Sequence, residues 1–292
     1  MQAGRYYRWT GTTPPAGVTL CALAALIVSP LLGAIYGVLD AFSPIVYINI
    51  LVGLGASSIS GWCVARAAIY GRVRNSSVVL LAGVLAGVLV FYASWVSWLA
   101  GASKGELVFF DPVKLTTIAS ALSVEGVWNL SHNSDNVSGA ALWAVWAIEG
   151  VLLLGMAPYM AHSTFNDACY CESCQVWMPS SAMVAALAPV SDKGRALRMA
   201  FEAGDWAYAQ RLGPVEESRA AEGFTELQLR SCQDCTRLHL LTASSLSFTR
   251  DKKGELQAKR KPIFSNLVVD SVGLEKLRAS LPAAEQQEAE QN

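Results

Sequence analysis

Four stretches of the chain run for twenty or more positions with hardly a charge: 17–39 (GVTLCALAALIVSPLLGAIYGVL), 45–65, 78–100 and 141–161. A helix needs about 20 apolar residues to cross the hydrocarbon of a bilayer, so each stretch predicts a transmembrane helix. Together they predict a four-helix bundle over 17–162, preceded by a short segment, 1–16. The first stretch is too long, and too weakly preceded by charge, for a cleaved signal peptide. Trp95, Trp98, Trp143, Trp146 and Tyr159 fall near span ends, where aromatic side chains anchor at the interface. Gly33/Gly37 and Gly83/Gly87 repeat one helical turn apart, a spacing that lets backbones approach closely in lipid. Ser57, Ser58 and Ser60 are expected to hydrogen-bond between helices. Between the last two spans, Asp111-Pro112 reads as a helix start with Asp at the cap and Pro at the first position. It opens an amphipathic helix at about 111–123, placed outside the cytoplasm and ended by Gly126. The stripes Val113/Thr117/Ala121 and Leu115/Ile118/Leu122 carry its helical period.

Beyond residue 163 the pattern changes from continuous to periodic. SDKGRALRMAFEAGDWAYAQRLG predicts a helical hairpin at about 191–213, with Ala196, Leu197, Ala200 and Phe201 as its apolar stripe and Asp205 capping the second helix. FTELQLRS alternates Phe224, Glu226, Gln228 with Thr225, Leu227, Leu229, as a half-buried strand does. RLHLLTASSLSF and KPIFSNLVV read as two more strands around a turn at Gly254, and DSVGLEKLRASL as a short amphipathic helix. Residues 282–292 form a polar tail. The fold class that results is a membrane all-α bundle of four helices followed by a small α+β domain, 163–281.

Composition supports the division. The 292 residues are 53% hydrophobic and 15% charged, but residues 1–162 hold only 7 of 22 Lys+Arg and 6 of 23 Asp+Glu. Net charge is −1, so no basic field points to nucleic acid. Arg5, Arg8, Arg66, Arg72 and Arg74 fall in the first segment and the loop after the second span. The loop after the first span has no Lys or Arg, and Lys104 and Lys114 are diluted over some forty residues. The positive-inside rule then places both termini in the cytoplasm.

Orientation decides the chemistry of the cysteines. Cys171/Cys174 and Cys232/Cys235 are two CxxC pairs with 57 residues between them. Each pair sets two thiols on one tight turn, and two such turns together offer the tetrahedral sulfur set that Zn²⁺ prefers. A thioredoxin-like redox centre would need one CxxC opening a helix in a βαβ unit, and disulfides would need an oxidising compartment. Structural zinc is therefore the expected cofactor, with Cys169 as an alternative ligand. Cys21 and Cys63 read as apolar fillers, and His239 as a packing residue. Strand–knuckle–strand order with a hairpin between the pairs resembles a zinc ribbon with a helical insertion.

Two further features carry chemistry. Glu149 is the one ionisable residue near the middle of a span, where it must be neutral, paired or functional. Lys259, Arg260 and Lys261 are candidates for lipid headgroups. His132 and the sequons at 129–131 and 136–138 read as loop features. Pro112, Gly126, Trp128, Trp146 and Glu149, in the layout DP…KL…I…A…EGVW before a span reading WAIE, resemble bacterial multi-pass membrane proteins of unassigned function over about residues 108–150. That resemblance implies a bacterial inner membrane. No phosphate loop, HExxH or dinucleotide fingerprint is present. The expected function is not enzymatic: a membrane-bound adaptor or scaffold that recruits a cytosolic protein. The alternatives are a small transporter or channel component using Glu149, or a membrane thiol oxidoreductase using the CxxC pairs.

Overall fold

The computed structural model describes residues 5–43, 46–127, 137–215, 223–235, 237–250 and 256–281. It divides into two compact units: Trp9–Ala168, and a second made of Cys169 onward together with Arg5–Arg8.

The first unit is helical. Four helices are long and apolar enough to cross a membrane: α1 (Pro15–Phe42), α2 (Val46–Tyr70), α3 (Ser76–Ala102) and α5 (Gly139–Asn166). A shorter helix, α4 (Pro112–Glu125), lies between the last two. In α1, Pro30 has no N–H to give and its ring crowds the carbonyl four residues back. The chain answers with a wide π turn at Ala24–Val28, immediately ahead of it. Small residues line the contacts. A Cβ on Gly33 would sit 2.4 Å from the Val90 carbonyl oxygen, and one on Gly37 would sit 2.2 Å from that of Ser94, so α1 and α3 touch backbone to backbone. A Cβ on Gly83 would sit 2.8 Å from the Pro158 Cα, and one on Gly87 3.0 Å from the Leu154 carbonyl oxygen, so α3 also lies close to α5. Hydroxyls tie the seams: Ser29 and Ser60 share a 2.6 Å hydrogen bond, and Ser57 donates to the Leu153 carbonyl at 2.6 Å. Large apolar side chains point outward instead. Ile27, Leu31, Leu51, Leu81 and Val151 are each at least 60% exposed.

The start of α4 follows its sequence signal: the Asp111 carboxylate accepts from the Val113 amide at 2.9 Å, and Gly126 closes the helix with φ +81°. Its buried face is Leu115, Ala119 and Ser123, while Val113 is 70% exposed. Leu115 packs on Val96 and Leu99, and Ala119 on Leu142 and Trp146. His132, Trp128 and the two sequons lie outside the described residues or at their edge.

The second unit is built on a four-stranded antiparallel meander, β3 (Ala182–Leu187), β4 (Gly223–Ser231), β5 (His239–Arg250) and β6 (Leu256–Val269), in that order. Alternation sends Leu227, Leu229, Leu241 and Ala243 to one face. There they meet Leu197 and Phe201 of α6 (Arg195–Glu202), Trp206, Ala209 of α7 (Tyr208–Leu212), and Leu274 and Leu277 of α8 (Ser271–Ser280). The Asp270 carboxylate caps α8 through the Gly273 amide at 2.7 Å. The opposite face carries Leu240 and Val268 beneath the cysteines. Thus the helical hairpin at 191–213 covers the sheet face away from the CxxC pairs and does not bridge them. Arg5–Tyr7 lies along β6: the Val268 amide donates to the Arg5 carbonyl at 2.8 Å, and the Tyr7 amide to that of Asn266 at 2.9 Å. The turn at Gly254 and the tail 282–292 lie outside the described residues.

Candidate metal centre

The first CxxC pair sits on a miniature hairpin. Strand β1 (Tyr170–Cys171) pairs with β2 (Val176–Trp177) in the register Cys171↔Val176, and the Met178 amide donates to the Cys169 carbonyl at 2.8 Å. Cys171 ends the first strand and Cys174 lies in the turn, which closes through Gln175 in the left-handed region (φ +55°). The second pair lies between β4 and β5. Ser231↔His239 is the last rung of that ladder, and the Cys232 amide then closes the knuckle on the Leu238 carbonyl at 3.0 Å.

These two turns meet. The Sγ atoms of Cys171, Cys174, Cys232 and Cys235 all lie within 4.8 Å of one another. Cys171 and Cys235 are 3.7 Å apart, and none of the seven cysteines is in a disulfide. Four sulfurs around a metal at about 2.3 Å are roughly 3.8 Å apart when the arrangement is tetrahedral. The set fits a metal ion by its donors as well as by its spacing. The Arg237 amide, reinforced by the neighbouring thiols, holds the Cys235 thiol down at about 7. Burial pushes Cys171 up, and the hydrogen bond given to Cys235 does the same for Cys174. Of these three thiols Cys235 gives up its proton most readily, and a divalent metal would have to displace protons from Cys171 and Cys174.

A buried shell supports the sulfurs. Met178, Leu238, Leu240 and Val268 pack against them together with Cys169. Cys169 is buried in this shell and is not one of the four clustered sulfurs. His239 is 4% exposed, its Nδ1 2.8 Å from the Ser231 hydroxyl across the ladder. Tyr7, which sequence reasoning passed over, belongs to this site. Its hydroxyl accepts from the Tyr170 amide at 3.0 Å and lies 3.2 Å from the Tyr170 carbonyl, next to Cys171. A tyrosine 164 positions before the first CxxC pair gives no local signal of that contact.

The remaining sequence candidates separate. Lys259 and Lys261 are exposed. Arg260, 53% exposed, forms an ion pair with Glu226 at 2.5 Å, where the Glu226 side chain is 6% exposed. In the helical unit, Glu149 accepts a 2.7 Å hydrogen bond from the Tyr36 hydroxyl, joining α5 to α1. Asp40, one turn past Tyr36, lines the same cavity as Glu149. The sequence scan missed that proximity because Asp40 falls just beyond the apolar run of the first span.

Comparison of the chain with protein-family models, with curated proteins and with solved structures gives no match; the chain combines a helical unit with four potential membrane-spanning helices and a small sheet unit whose four clustered cysteines can hold a metal ion.

Proposed function

We propose that this is an integral protein of a bacterial inner membrane that carries a structural zinc ion in a zinc-ribbon-like cytosolic domain, and that it serves as a membrane-bound adaptor for a cytosolic protein. The single observation that carries the reading is the convergence of four cysteine sulfurs, two from each knuckle, within 4.8 Å of one another. Thiolate donors select zinc among the common divalent ions, and a reducing compartment keeps such thiols available. The Arg5, Arg8 and Arg66–Arg74 distribution supports cytoplasmic termini. The apolar exterior of α1, α2, α3 and α5 supports burial in lipid, since residues such as Leu51 and Val151 would otherwise face water. Zinc would be held here for stability: all four positions are protein ligands, whereas a catalytic zinc keeps one open.

Two measurements on the full-length protein test this. Purified without chelator, it should contain one zinc per chain, and Cys171→Ser or Cys232→Ser should remove most of it. A reporter fused after residue 292 should be active in the cytoplasm. A periplasmic C-terminus would overturn the adaptor reading, because the same thiols would then face an oxidising compartment.

A further inference from the structure

Two cavities in the helical unit share Tyr36, Asp40 and Glu149. One is small, about 20 Å³, and its wall is completed by Ser94 and by Trp95, Trp98 and Trp146. A space of that size holds a single water-sized group. The other is about 250 Å³, and beyond the shared residues and Asn49 its wall is Ile50, Val145, Ile148 and Leu152. A polar room for one small group therefore adjoins an apolar room several times larger, with two carboxylates where they meet.

The geometry points to a binding site for a primary ammonium cation with an apolar body: the –NH₃⁺ head between Asp40 and Glu149, the body against Ile50, Val145, Ile148 and Leu152. Three features favour that ligand. Tyr36 occupies Oε1 of Glu149, and Oε2 has no hydrogen bond among the described residues, so an acceptor remains for a donating head. Indole rings attract cations at short range, and three of them line the small room; Trp95 and Trp146 sit edge to face with centroids 5.1 Å apart. A hard divalent ion such as Ca²⁺ takes six to eight oxygen ligands. Among the described residues, the side chains that bring oxygen to the small room are Tyr36, Asp40, Ser94 and Glu149. The site is independent of the four-cysteine centre, so its test does not depend on metal content.

The probe is n-octylammonium, titrated into the full-length protein in phosphatidylcholine nanodiscs, which contain no primary amine, with tryptophan fluorescence as readout. A saturable change is expected. It should move to at least tenfold higher concentration in Glu149→Gln, which keeps an acceptor for Tyr36, and likewise in Asp40→Asn. Neither n-octanol, which lacks the charge, nor octyltrimethylammonium, whose head exceeds the small room, should saturate in the same range. Phosphatidylethanolamine nanodiscs distinguish the two sources of such a head: membrane lipid would compete with the probe, whereas a free amine would be the ligand if it does not. Equal saturation of wild type and both variants, or octanol matching octylammonium, would overturn the assignment.

Discussion

Single atoms shape the candidate metal centre. The Tyr7 hydroxyl both accepts from and approaches the backbone of Tyr170, one residue before Cys171, so it fixes the entry to the first knuckle. Removing a hydroxyl that satisfies a buried backbone group costs about 1–3 kcal/mol. Tyr7→Phe should therefore loosen the first hairpin, and a competing chelator should strip metal from the variant several-fold faster than from wild type. Equal rates would mean that the N-terminal segment Arg5–Tyr7 does not reach the site in solution. Arg260 gives the opposite lesson. In sequence it is one of three adjacent basic residues, yet its partner Glu226 lies on a strand 34 positions away, and alternation turns it away from Lys259 and Lys261. Charge was legible there, but its partner was not, because the partner depends on register.

At the scale of elements, the glycines set how closely helices approach. Gly33 faces the Val90 carbonyl at a distance that no Cβ tolerates, whereas Gly55 on α2 has nothing within 4 Å. Gly33→Ala should lower the thermal stability of the bundle. Gly55→Ala should leave it unchanged or raise it by up to about 1 kcal/mol, since Ala is the better helix former. A similar loss in both would contradict the α1–α3 contact. These elements were largely readable in advance. The four apolar runs, the Asp111-Pro112 start, the strand alternation of Thr225, Leu227 and Leu229 and the short helix in DSVGLEKLRASL all reflect local chemistry. What local chemistry does not encode is which faces meet. The hairpin at 191–213 has an apolar stripe that any surface could cover, and it covers the sheet face opposite the cysteines. On α4 the stripe Leu115/Ile118/Leu122 packs inward with Ala119, whereas Val113, Thr117 and Ala121 are exposed.

For the whole molecule, two units with different cores imply two stabilities. The sheet unit has its cysteine-side core built around the sulfurs, with Leu240 and Val268 beneath them. Binding free energy of a structural metal is folding free energy for such a unit. The helical unit holds together through backbone contacts and hydroxyls that no metal touches. Chelation should thus abolish the β signal and near-ultraviolet signature of the sheet unit while the helical circular dichroism of α1, α2, α3 and α5 persists. Concerted loss of both would show the units to be one cooperative body.

The most direct test is metal content with sulfur coordination on the purified full-length protein, read by elemental analysis and X-ray absorption at the zinc edge. One zinc per chain is expected, with four sulfur neighbours at about 2.3 Å, lost when Cys174 or Cys235 is changed to Ser. A metal-free protein in which Cys171, Cys174, Cys232 and Cys235 are joined as disulfides would contradict it.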